Sequence, residues 1–183
     1  MPSKSIVVAN FAPLEALNAD LEKNRNAHVR VGILAAGGHI GREDEDWNKE
    51  GINNPTLGLV HEYGSASNNI PPRSFLRVPL MTELPKRMQQ IGRKVWESII
   101  NSKGMFVALK ELGVTGENVV QGAFNSAGYG RWQAWSESYA HWRAAYMRKR
   151  SKIIGPVGPG SILILSGQLA KSISSEVKEA QKR

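Results

Sequence analysis

The chain has 183 residues, 41% of them hydrophobic and 22% charged, with 24 Lys and Arg against 16 Asp and Glu and no cysteine. That is ordinary globular usage in a chain long enough for one domain with a core; it excludes wholesale disorder, a disulfide framework and thiolate metal sites. The net charge of +8 points toward nucleic acid or an acidic protein surface. No apolar run approaches the ~18 residues that span a bilayer, and the first thirteen residues lack the apolar core of a signal peptide, so neither a membrane partner nor a secreted product is expected.

Residues 13–26 predict a helix, with Leu14, Leu17 and Leu21 at helical spacing and Pro13 suited to a first turn. Residues 27–35 alternate as a strand, with Val29, Val31 and Ile33 on one face. A polar loop follows over 39–55, carrying the acidic cluster Glu43, Asp44, Glu45, Asp46 and Glu50. Residues 56–63 predict a short helix ended by Gly64, and residues 65–72 a loop whose Pro71 and Pro72 fix φ. Residues 73–78 suit a short strand or the lead into a helix.

Residues 80–101 predict a long helix, capped by Thr82, with Leu84, Met88, Ile91, Val95 and Ile99 on one stripe. Helical pattern continues over 105–112. Gly113 is expected to break it and Thr115 to cap a new helix over 116–126. Across 131–152, Trp132, Trp135, Tyr139, Trp142 and Tyr146 recur at steps of 3, 4, 3 and 4, the spacing of a helix packed against another helix. Residues 154–160 read as a Gly/Pro linker to a last element over 161–177, with a C-terminal strand near 172–178. The fold class expected is α+β: one domain over 1–183, with a small, mostly antiparallel sheet against long helices.

Nothing here assembles a catalytic, cofactor or metal site. His28, His39, His61 and His141 are scattered without supporting ligands at helical spacing. The run Glu43–Asp46 lacks the alternating ligands and central glycine of a calcium loop. Ser166-Gly167 is not framed as a nucleophile elbow, and the 155–160 stretch lacks the Gly-Lys-Ser/Thr end of a phosphate loop. The stretch 131–152 holds six basic residues and one acid, so aromatics stacking bases and Arg143, Arg148, Lys149, Arg150 and Lys152 facing DNA form the alternative reading.

Two blocks carry a resemblance. His61-Glu62-Tyr63-Gly64 followed by Ile70-Pro71-Pro72-Arg73-Ser74-Phe75-Leu76-Arg77 is similar to the acid, aromatic, glycine and I-P-x-R-P-F-x-R signature of tailed-bacteriophage tail-completion and neck proteins, after the V-x-V-G-I strand of residues 29–33. Ser74 stands where that family usually has proline. Trp132 and Trp135-Ser136-Glu137-Ser138-Tyr139, then the stretch Ile162 through Ile173 with Ser166-Gly167-Gln168-Leu169, resemble the signature of phage virion-morphogenesis proteins.

The resemblance implies a structural virion protein at the head–tail junction, not an enzyme. It would complete the tail end as a homo-oligomeric, hexameric ring among other neck and tail proteins, with non-specific contact to passing DNA, after assembly in the host cytoplasm. Physically, Pro71 and Pro72 pre-set the loop, Phe75 and Leu76 anchor it, and Arg73 and Arg77 are left to pair with carboxylates. The expected subunit-interface residues are Glu62, Tyr63, Arg73, Phe75, Arg77, Trp135, Tyr139, Trp142, Ser166 and Leu169.

Overall fold

The computed structural model describes residues 11–34, 52–154, 162–164 and 167–179; the side chains of 102, 103, 147 and 149–154 lie outside that description, as do most of the 39–55 and 154–160 segments. Helix α1 (Ala12–Lys23) leads to strand β1 (His28–Ile33), then to helices α2 (Asn54–Tyr63), α3 (Arg77–Thr82) and α4 (Leu84–Ser98). A π-type segment (Ile99–Lys103) joins α4 to the long α5 (Met105–Asn125), followed by α6 (Glu137–Ile154), the short α7 (Gln168–Lys171) and strand β2 (Ile173–Lys178). This is an α+β fold with a two-stranded antiparallel sheet, β1 against β2. No helix among the described residues is long and apolar enough to cross a membrane.

The sheet pairs Val31 with Ser175 and Ile33 with Ile173, and Arg30 forms a 3.3 Å ion pair with Glu176 across the strands. Helix α5 packs on both strands, and its two central glycines make that possible. A Cβ at Gly113 would fall 2.6 Å from Ser175 Oγ, and one at Gly116 would fall 2.9 Å from Val31 Cγ2. The expected helix break at Gly113 is therefore absent: α5 runs unbroken, and Thr115 donates to the Glu111 carbonyl inside it instead of capping a new helix.

The expected 80–101 helix is two helices. Thr82 ends α3 by donating back to the Val78 carbonyl, and Pro85 opens α4 from its first turn. Residues 73–78 form no strand. The loop runs straight into α3, and the amides a strand would have needed are taken by a side chain described below. The sequence-expected loop 39–55 also ends earlier, since Asn53 caps α2 by accepting from the Thr56 amide at 2.9 Å.

The core gathers Phe75, Val120, Phe124, Leu169, Ala170 and Ile173, so it sits where α5, α7, β2 and the loop before α3 meet. Phe75 and Phe124 pack at 5.0 Å between ring centroids, and Trp132 meets Phe124 edge-on at 6.1 Å. Asp20 of α1 accepts from the Met105 amide at 2.6 Å, placing a carboxylate at the N-terminus of α5 where its free amides and dipole favour one.

Candidate functional site

The 59–77 block is organised around a single carboxylate. Glu62, 6% exposed, points from α2 at the start of α3. Its Oε2 accepts from the Phe75 and Leu76 amides at 3.0 Å each, and its Oε1 accepts from the Arg77 amide at 3.0 Å and from the Ser74 hydroxyl. Ser74 Oγ in turn accepts from the Val78 amide at 2.9 Å. The free amides of a helix N-terminus attract an anion, and here a side chain from the preceding helix supplies it. Ser74 thus gives this node both a donor and an acceptor.

The loop between α2 and α3 is closed on itself. Ser65 and Ile70 exchange both backbone hydrogen bonds, and Arg73 donates its amide to the His61 carbonyl at 2.7 Å. Gly64 has φ +77°, and a Cβ there would lie 2.8 Å from both the Ile70 oxygen and the Pro72 nitrogen, so the tight return needs glycine.

Arg73 was expected to face outward, and it faces inward. It is 8% exposed, and its Nε and Nη2 both donate to the Gln133 carbonyl, at 3.3 and 3.2 Å. Arg77 stays largely exposed, with Nε 3.9 Å from Glu62 Oε1 and its guanidinium 5.7 Å from the Tyr63 ring centre. Phe75 and Leu169, expected at an interface, are core residues, packed in one cluster with Phe124 of α5 and Ile173 of β2 and lying beside Gly58 of α2. Glu62 is an internal cap for the reason given above. Tyr63 is exposed on α2. Ser166 lies outside the described residues.

The aromatic series divides. Trp132 precedes α6 and joins the core, with Nε1 donating to the Ser74 carbonyl at 3.1 Å. The other four follow one another: Trp135 meets Tyr139 edge-on at 5.9 Å, Tyr139 stacks on Trp142 at 5.4 Å and Trp142 on Tyr146 at 5.3 Å. The expected helix–helix seam is thus a ladder along α6 itself, and among the described residues α6 packs broadly against no other helix.

Arg143 was expected to face DNA. It is 5% exposed, because it lies over the Trp135 ring at 4.4 Å and donates through Nη2 to the Ile164 carbonyl at 2.5 Å. Burial pushes both the Arg73 and Arg143 guanidiniums below their ordinary pKa, with the Tyr139 hydroxyl opposing the shift. Arg148 is exposed and donates to the Ala144 carbonyl at 3.3 Å; the side chains of Lys149, Arg150 and Lys152 lie outside the described residues.

Between the 64–73 loop, residues 133–136, the first turns of α6 and residues 162, 163, 167 and 169 lies a cleft of about 850 Å³. Arg73, Tyr139 and Arg143 line it together, with Ile70, Pro71 and Leu163 as apolar wall. Comparisons with family models, curated proteins and solved structures give no match. The site is therefore read from its own chemistry. Among the described residues no three His, Asp or Glu side chains gather as a metal cage. The cleft offers hydrogen-bond donors and positive charge, which bind and orient.

The sequence did not reveal that the Gln133 and Ile164 carbonyls would hold the two arginines. Backbone acceptors leave no mark on residue identity. The role of Ser74 was within reach, since serine just before a helix is a capping signal.

Proposed function

We propose that this chain is a structural protein of a tailed-phage virion, completing the tail end at the head–tail junction as one subunit of an oligomeric ring. The resemblance of the 61–77 and 132–173 blocks to neck and virion-morphogenesis proteins supports the reading. The observation that carries it is the pairing of a locked loop with exposed apolar surface. Helices α2 and α3, tied by Glu62, expose Leu59 (62%), Tyr63 (61%) and Met81 (69%). Large apolar side chains displayed beside a rigid loop suit permanent contact with neighbouring subunits.

A ring built from heterologous contacts needs each subunit to offer two different faces, and this sequence separates an acidic segment at 43–50 from the basic stretch 131–152. The alternative, nucleic-acid binding through 131–152, is less well supported: the ladder aromatics are stacked on one another and Arg143 is turned inward.

The test is a phage whose copy of this gene carries a stop codon. The expected result is filled heads and tails that do not join, with infectivity restored in lysate by the purified protein, and ring-shaped particles of that protein by negative-stain electron microscopy. Infectious particles from the mutant, or absence of the protein from virions and assembly intermediates, would overturn the reading.

A further inference from the structure

We propose that the cleft holding Arg73 and Arg143 is a docking site for a carboxylate on an acidic peptide, and that the acidic run Glu43-Asp44-Glu45-Asp46 of a second copy of this chain is its occupant.

Two buried guanidiniums line one cleft, and neither has a carboxylate partner among the described residues. Each guanidinium carries five N–H groups. Arg73 uses its Nε and Nη2 on Gln133, and Arg143 uses its Nη2 on Ile164, so both keep further donors for the cleft. A buried charge held by neutral carbonyls, and for Arg143 also by the face of Trp135, is costly without a counter-ion, and two like charges around one cavity add repulsion. An anion seated between them relieves both, and a planar carboxylate matches the guanidinium fork. Burial depresses both arginines below their ordinary pKa with only the Tyr139 hydroxyl opposing it, in keeping with a site that has no carboxylate counter-charge among the described residues.

The shape selects a peptide over nucleic acid. The two arginines are recessed, at 8% and 5% exposure, where phosphates of a duplex cannot reach them. Ile70, Pro71 and Leu163 give the cleft an apolar wall, which suits an acid followed by an apolar residue. This chain contains that combination: four consecutive acids followed by Trp47. The inference is independent of the virion reading, because it needs only two copies of the chain; a protein absent from virions still binds the peptide if the site is real.

The experiment measures binding of a fluorescent peptide spanning residues 41–51 to the full-length chain carrying Glu43→Gln, Asp44→Asn, Glu45→Gln and Asp46→Asn, so that the receiver cannot supply its own acids. Saturable binding is expected, weakening with salt as a charge pairing does. A peptide with the same four neutral replacements is expected to bind at least about tenfold more weakly, a loss of about 1.4 kcal/mol or more. Arg143→Lys in the receiver, checked for folding by thermal unfolding, is expected to weaken the acidic peptide about tenfold because the fork geometry is lost. Equal binding of the acidic and neutral peptides, displacement by short duplex DNA or inorganic phosphate at lower concentration than by unlabelled peptide, or no binding at all would each overturn the proposal. The neutral-peptide comparison leaves the receiver unaltered and stands even if the arginine variant fails to fold.

Discussion

The Oε2 atom of Glu62 lies 3.0 Å from the backbone nitrogen of Phe75, thirteen residues further along the chain. The same carboxylate serves the Leu76 and Arg77 amides and the Ser74 hydroxyl, so one side chain closes the loop and starts α3. Glu62→Gln keeps the shape but replaces one acceptor oxygen by a donor facing donors. It is expected to destabilise the fold by about 2–4 kcal/mol, read as a lower denaturant midpoint at unchanged slope. Ser74→Pro removes the hydroxyl from this node and is expected to cost about 1–2 kcal/mol. A neutral or stabilising Ser74→Pro would show that the hydroxyl adds nothing.

Gly113 lies in the middle of α5, where alanine would ordinarily favour the helix by about 1 kcal/mol. Here the added Cβ meets Ser175 Oγ at 2.6 Å and Ser175 Cβ at 3.0 Å. Gly113→Ala is therefore expected to destabilise by about 1–3 kcal/mol, with much of the loss recovered in the double variant carrying Ser175→Gly. Thermal unfolding of the four proteins in the cycle measures the coupling. Simple additivity would show that helix and strand do not meet there.

Glu83 ties the junction of α3 and α4 to Lys86 at 2.9 Å and to Arg131 at 3.1 Å. The hydrogen bond from Lys86, followed by that from Arg131, holds its carboxyl below the ordinary pKa against the effect of burial. The folded-state pKa is depressed, so its stabilisation is present above the unfolded value of about 4.3 and is lost as pH falls through the folded one. Wild type and Glu83→Gln should differ in unfolding midpoint at neutral pH and converge in strong acid. A difference that grows on acidification would contradict this.

Leu59, Tyr63 and Met81 are exposed apolar side chains on α2 and α3. Replacing each by serine is expected to change monomer stability by less than about 0.5 kcal/mol, as surface substitutions do. The oligomer population in analytical ultracentrifugation should fall. Loss of monomer stability with assembly intact would assign these residues to the fold alone.

Local pattern was legible in the sequence. The helix after Pro13, both strands of the sheet and the short helix before Gly64 follow from period, proline and glycine, and each forms within a few residues of its expected bounds. What failed required knowing a distant neighbour. Gly113 looks like a helix breaker until Ser175 and Val29 are seen pressed against it. Arg73 looks like a displayed charge until the Gln133 carbonyl, sixty residues away, takes it. Trp132 shares the spacing of Trp135 and Tyr139, yet the turn before α6 sends it to Phe124 and the others to one another. Spacing gives the face on which a residue lies, and the partner of that face is a property of the whole chain.

The pairing of β1 with β2 joins His28 to Lys178, nearly opposite ends of the chain. Phe75 likewise finds its core neighbours in Phe124, Leu169 and Ile173. A ribosome therefore releases α1, β1 and the Glu62 node long before their packing surfaces exist. The sheet closes only after residues 173–178 have emerged, so β1 waits unpaired while every residue between the two strands is made, and the fold rests on contacts distant in sequence.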